Sequence, residues 1–348
     1  MKNLLSKTVF EKAEKKLKEL LFPVKLCEVN VRLPNNKMIY AKTFKGVVRT
    51  DTNHIFSVVS DDYKLITNEE AINLGKKIFN LLFKNINVDE IKPYRVIHSN
   101  SYGLCSIQLV HESVNFMVFQ QDEWLPFIQV SNSYNKAVSL KFDLGFVRKL
   151  CLNGMIYKKD TVEIKLNHNK NVKFDLKIKS GLRNFENTSI AFSSKLQKLK
   201  EINFDKSYLV PLTCKIFNLD FALEPDWIKN STLDRYEIER KIEKDRKEFV
   251  VLNDLINWLS DEYFSSLGDN MYAALNVLTD LVSNHPYKVK KLKQFSQRSD
   301  FYFYRPTEWM IDMHERNFDD NNNLDEYLGE YLKYQNYYEK NRFNFFPN

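Results

Sequence analysis

The sequence predicts an α+β protein: a β-rich N-terminal half built on antiparallel sheet with flanking helices, then a mainly helical C-terminal half. Three observations predict it. Short runs rich in Val, Ile and Phe, split by polar turns, crowd residues 94–142. Apolar residues at three- and four-residue spacing dominate after residue 186. The balance of 43% hydrophobic and 28% charged residues is that of an ordinary globular chain. The change of pattern sets an expected division into a mixed β-rich domain over residues 1–185, carrying an N-terminal helix, and a helical region over residues 186–348, packed on the same core or apart from it.

Residues 3–21 read as an amphipathic helix, with Leu5, Val9, Ala13 and Leu17 on one face and Pro23 beyond its end. Strands are expected at 25–33, 40–48 and 54–60, with Pro34, Asn35 and Asn36 as the first turn. Thr67 and Glu70 fit a capping box, opening a helix that runs to about Phe83 with Ala71, Ile72, Ile78, Phe79 and Leu82 inward. Strands at 94–98, 104–111, 114–120, 127–130 and 137–142 read as a meander, leaving the polar run 131–135 as a loop. Residues 161–166 and 172–178 read as a hairpin. Helices are expected at 190–202, 231–265, 270–283 (with Asp269 as its cap), 289–297 and 325–340.

Charge is uneven. Residues 158–200 hold eleven Lys and Arg against four acids, a net of +7 that equals the charge of the whole chain. Lys288, Lys290, Lys291, Lys293 and Arg298 form a second basic knot, and the tail from Phe301 is acidic. Such asymmetry points to a polyanion on one face. In the stretch 172–178 and beyond, Lys173, Lys177 and Lys179 fall on one face of a strand, because their spacings are even, with Val172, Phe174, Leu176 and Ile178 on the other. Lysine also guards exposed sheet faces and edges, so a plain solvated strand explains the same pattern.

Several chemistries lack their signatures. There is no Gly-rich phosphate loop, no dinucleotide fingerprint, no nucleophile elbow and no zinc-protease helix. The four cysteines, at 27, 105, 151 and 214, form no C-x-x-C pair and read as reduced, mostly buried thiols. The pairs His111-Glu112 and His314-Glu315 are sequence neighbours, which places their side chains on different faces. The acidic run around Asp319, Asp320, Asp325 and Glu326 lacks the spacing of a calcium loop and reads as solvated. No catalytic residue, metal or cofactor is expected. With no long apolar run and no secretory pattern, the expected location is the cytoplasm of the host cell, without membrane insertion.

Four stretches carry a resemblance: Val58-Val59-Ser60-Asp61-Asp62-Tyr63 with Asn68 and Glu70; Asn132-Ser133-Tyr134-Asn135-Lys136; Arg148-Lys149-Leu150-Cys151-Leu152-Asn153-Gly154; and Tyr272, Ala274, Asn276, Thr279, Ser283 and His285. In this order and spacing the sequence resembles domain-of-unknown-function family 932, a phage- and plasmid-borne family. Asn-Lys stands where that family usually has Asp-Gly. The resemblance implies a bacterial mobile element and leaves the activity open.

Three functions follow. The first is non-catalytic nucleic-acid binding, of single-stranded DNA in particular, or strand annealing. Its candidate residues are Tyr134, Arg148, Lys149, Lys158, Lys159, Lys165, Lys173, Lys177, Lys179 and Arg183: aromatics stack on bases and cations track phosphates. The second is a protein-interaction module that modulates a host defence protein. The third is an enzyme with a site assembled from distant residues, against which the missing motifs weigh. The basic middle and acidic tail also fit pairing between subunits of a homo-oligomer.

Overall fold

A computed structural model of the protein describes residues 7–83, 86–119, 122–157, 164–166, 185–228, 232–285, 299–316 and 324–341. The chain divides into two compact units, one comprising Met1–Leu152, Ile156–Ala191 and Ser296–Ser299, the other Asn153–Met155, Phe192–Phe295 and Asp300–Asn348. The antiparallel, β-rich character of the N-terminal half and the helical character of the C-terminal half are both present.

The first unit begins with helix α1 (Lys7–Lys18), followed by a three-stranded antiparallel sheet of β1 (Val24–Arg32), β2 (Met38–Arg49) and β3 (His54–Ser60), in that order. Helix α2 (Asn68–Leu82) follows. The capping box that opens it forms as predicted: Glu70 N donates to Thr67 Oγ1 at 3.2 Å and Thr67 N to Glu70 Oε2 at 2.7 Å. A larger sheet holds β4 (Lys92–His98), β5 (Leu104–Val110), β6 (Phe116–Phe119), β7 (Asp122–Ser133), β8 (Leu140–Arg148), β9 (Gly154–Ile156) and β10 (Ile164–Leu166). Its strand order is β10-β8-β7-β5-β4, antiparallel along this path; it departs from the simple meander read from the sequence in that β5 pairs directly with β7, while β6 pairs with β7 and β9 with β8 off the path. One face packs on α2 through Leu109, Val130 and Phe142. Gly75 allows that approach, since a Cβ there would overlap Val130 and lie 3.2 Å from Leu109.

The polar run 131–135 is a loop only at Tyr134 and Asn135. Ser131, Asn132 and Ser133 continue β7 and are buried, because each has a partner inside: Ser131 faces Ser106 at 3.1 Å, Asn132 donates to Asn68, and Ser133 donates to the Val138 carbonyl at 2.7 Å. Gln108 and Gln129 likewise pair at 2.8 Å across β5 and β7. Satisfied polar groups tolerate burial, so hydrophilicity alone misplaced this segment.

The second unit contains α3 from Phe192 onward (the helix spans Phe185–Glu201), α4 (Leu209–Phe217), α5 (Arg235–Leu267), α6 (Met271–Asn284), α7 (Ser299–Glu315), α8 (Leu324–Leu328) and α9 (Leu332–Asn341). Its core includes Phe221, Phe249 and Tyr334, whose hydroxyl accepts from Phe221 N at 2.7 Å and donates to Asp220 at 2.6 Å. Helices α4 and α7 were not read from the sequence: Pro211 and Pro306 interrupt their patterns, yet both prolines lie within helix. The cap of α6 is Asn270, which accepts from Ala273 N at 2.9 Å, and not Asp269. The final helix is split by a 3-10 turn at Gly329–Tyr331, where Gly329 takes φ 56°. The predicted strand at 172–178 and helix at 289–297 lie outside the described residues.

Candidate nucleic-acid interface

Two of the predicted contact residues sit in the core of the first unit. Tyr134 is 1% exposed. It packs with Val24, Val47 and Val59, rests against the rings of Phe22 and Phe56, and its hydroxyl accepts from Asn68 N at 2.8 Å. Burial pushes its phenol well above the usual range. Arg148 is 3% exposed, and its Nε donates to buried Asp122 at 2.6 Å. Neither presents a ring or a charge to an outside partner, so both are corrected to structural roles. Lys149 is half-buried with Nζ 2.7 and 2.8 Å from the two Glu123 oxygens, which neutralise it. Lys165 lies on β10, the last described strand on its side of the larger sheet. Lys158, Lys159, Lys173, Lys177, Lys179 and Arg183 lie outside the described residues.

A different place in the first unit has the expected chemistry. From residue 29 to residue 50 the chain contains no Asp or Glu, and it contains Arg32, Lys37, Lys42, Lys45 and Arg49. This run holds the end of β1, the turn and all of β2. Its turn is fixed locally: Leu33 N donates to Lys37 O at 2.8 Å, Lys37 N to Asn35 Oδ1 at 3.1 Å, and Asn36 takes the left-handed φ of 64° that asparagine tolerates. The pairing slips farther along. Asn30 faces Tyr40 while Glu28 faces Lys45, so β2 inserts extra residues that bend the strand and re-aim its side chains.

The outcome is an exposed, basic and apolar hairpin. Met38 is 58%, Phe44 48% and Tyr40 39% exposed. Arg32, Lys37 and Lys42 are exposed beside them. Lys45 Nζ reaches the Tyr40 hydroxyl at 3.3 Å and lies 5.9 Å from that ring's centroid. Arg49 is otherwise engaged, stacked 4.0 Å over Phe22 and bonded to Asp51 at 2.7 Å. Three cations with no facing acid, Arg32, Lys37 and Lys42, and a fourth, Lys45, opposite Glu28, are interleaved with two exposed rings and can track a phosphate backbone and stack on bases. The sequence held two signals for it, the acid-free run and its aromatics, but not the exposure.

The four stretches that carry the family resemblance meet in pairs, inside each unit. In the first, Asn132 Nδ2 donates to Asn68 Oδ1 at 2.9 Å and to the Ile66 carbonyl at 3.1 Å, and Tyr134 packs against Val59 and Tyr63. In the second, Asn153 Nδ2 donates to the Tyr263 hydroxyl at 2.9 Å and the Asn276 carbonyl at 3.1 Å, while Gly154 N donates to Ser283 Oγ at 3.0 Å. Asp280 completes that cluster. It accepts from Tyr263 and from Asn284 at 3.0 Å, with His285 Nε2 at 3.4 Å. These groups satisfy one another and pin residues 153–155 to α5 and α6, a structural task. Among the described residues, no group of His, Cys, Asp and Glu is arranged to hold a metal ion, and no helix is long and apolar enough to cross a membrane.

The family model described as Domain of unknown function (DUF932) matches residues 55–291, a span of 237 of the 348 residues. No curated protein and no solved structure matches the chain.

Proposed function

The chain belongs to the DUF932 family, a domain often found in plasmid- and phage-associated proteins, and from that premise we propose that it is a non-catalytic nucleic-acid-binding protein of a mobile element. The observation that carries the reading is the exposed, acid-free run 29–50 of the β1–β2 hairpin, with Lys37, Lys42 and Lys45 around Tyr40 and Phe44. The basic stretch 158–200 adds a second source of positive charge. Cations supply sequence-independent affinity for phosphate, and flat rings favour unstacked bases over paired ones. Single-stranded DNA or RNA is therefore the expected ligand, and duplex the weaker one. The sequence shows no helix-turn-helix or zinc-finger spacing that would read a duplex groove.

A second reading, a module that binds a host protein, is favoured by one observation. The outer side of the same small sheet leaves Val31, Ile39, Ile55 and Val58 substantially exposed, a patch of the kind protein partners cover. The two readings separate in one experiment: anisotropy of a labelled single-stranded oligonucleotide and of its duplex, titrated with the full chain at low salt. Saturable binding that prefers the single strand supports the first. No binding to either sinks it and leaves the apolar patch as the lead.

A further inference from the structure

Helix α5 buries one face in the second unit through Ile242, Phe249, Leu252, Ile256, Leu259 and Tyr263. Its opposite face is exposed and patterned. Arg240, Lys244, Lys247, Val251, Asp254, Trp258 and Glu262 recur at spacings of four, three, four, three, four and four residues, all exposed. At about 100° per residue they lie within roughly 60° of Val251 around the axis, a continuous stripe. Trp258 is 55% and Val251 45% exposed, large apolar surface for a free helix face. Cations occupy the N-terminal side of Val251 on this stripe and carboxylates the C-terminal side. Lys247 is bonded to Glu243 at 2.6 Å and Arg235 to Glu239 at 3.0 Å, within the helix. Arg240, Lys244, Asp254 and Glu262 have no ion-pair partner among the described residues.

We propose that this stripe pairs with the same stripe of a second copy of the chain, α5 against α5, antiparallel, with Val251 on the two-fold axis. The spacing on either side of Val251 carries the argument. Arg240 stands eleven residues before it and Glu262 eleven after, so each meets the other across the axis. Lys244 stands seven before and Trp258 seven after, which sets an ammonium over an indole face. Lys247 and Asp254, four before and three after, fall next to each other in the same way. Every pair occurs twice by symmetry, as an isologous contact requires. Parallel pairing would oppose like charges at Arg240, Lys244, Lys247, Asp254 and Glu262. A polyanion is repelled by the carboxylate half and a polycation by the other, so a self-complementary partner fits best. The apolar area is small and the charges lie at a solvent-accessible face, so the dimer is expected to be modest in strength and sensitive to salt.

Sedimentation velocity of the full chain over a concentration series tests this, with R240E, E262R and K241E as variants. Lys241 is exposed on α5 but lies about 80° from Val251, off the stripe, so K241E controls for the charge change alone. The expected result is reversible dimerisation of the unaltered chain that weakens with salt. R240E and E262R should each associate at least about tenfold more weakly, since every dimer then opposes like charges twice. K241E should match the unaltered chain. An equimolar mixture of R240E and E262R should regain dimerisation, because only the mixed pair restores both contacts, and that recovery also demonstrates that both variants fold. A chain that stays monomeric, an R240E variant that dimerises normally, or a mixture no stronger than its parts would each overturn the proposal. E262Q, a milder change on the same surface, should weaken the dimer less than E262R. Equal association of E262Q, E262R and the unaltered chain would overturn the proposal as well.

Discussion

Asn132 on β7 donates its side-chain amide to the side-chain carbonyl of Asn68 on α2, at 2.9 Å and across 64 residues of sequence. The same Asn68 oxygen takes the Cys105 thiol at 3.4 Å, its Nδ2 donates to the Leu20 carbonyl at 3.0 Å, and its backbone N–H donates to the Tyr134 hydroxyl. One buried asparagine thus ties α2, the larger sheet and the end of α1 together.

Asn68→Ala leaves the Asn132 amide short of one acceptor and strips the Leu20 carbonyl of this donor. Unsatisfied buried groups cost about 1–3 kcal/mol each, so the variant should lose stability in that range or beyond. Urea denaturation measures it as a lower midpoint with an unchanged slope. A change within about 0.5 kcal/mol, the scale of neutral surface substitutions, would remove Asn68 from this role.

Arg148 and Asp122 form a buried ion pair, and removing one partner strands the other. Arg148→Met should destabilise the chain by roughly 3–5 kcal/mol, measured by the same denaturation. Its folded fraction should bind oligonucleotide as the unaltered chain does, since Arg148 is buried against Asp122 and presents no charge at the surface. A selective loss of binding at unchanged stability would return Arg148 to the interface.

Burial pushes the Cys105 thiol up to about 12 from its ordinary 9.0. At pH 8 almost none of it is thiolate, so Cys105 should react with maleimide far more slowly than half-buried Cys27 and Cys151, as peptide mapping after timed labelling would report. Folding is linked to the same proton. Because the folded group holds its proton more tightly than the unfolded one, its contribution to stability is complete below about pH 9. It is lost as pH rises toward 12.

Much of the fold is legible in the sequence because local rules suffice for it. The Thr67–Glu70 box, the β-strand alternation and the antiparallel pairing of strands joined by short turns are short-range signals, though β5 pairs with β7 and bypasses β6. What escaped needs the third dimension. Tyr134 sits among Ser, Asn and Lys, and only the distant Phe22, Phe56 and Val59 turn it inward. The β1–β2 hairpin was legible as two strands and a turn. That Tyr40 and Phe44 stand exposed among the described residues goes with the slip in β2 at its inserted residues, which periodicity does not encode.

On that hairpin, Tyr40→Ala and Phe44→Ala should each weaken single-strand binding by about 1–3 kcal/mol, the range for losing one stacked base. Both rings are exposed, so thermal unfolding should move little. Equal loss of duplex and single-strand affinity would contradict stacking as the source.

The central claim is that the hairpin lysines carry contacts to phosphate, and the slope of log affinity against log salt tests it most directly. Each phosphate neutralised on a single strand contributes about −0.7 to that slope. Changing Lys37, Lys42 and Lys45 together to Ala should flatten the slope by about 2 and weaken binding at low salt. An unchanged slope and affinity in that triple variant would contradict the assignment, and binding that ignores salt in the unaltered chain would contradict the function itself.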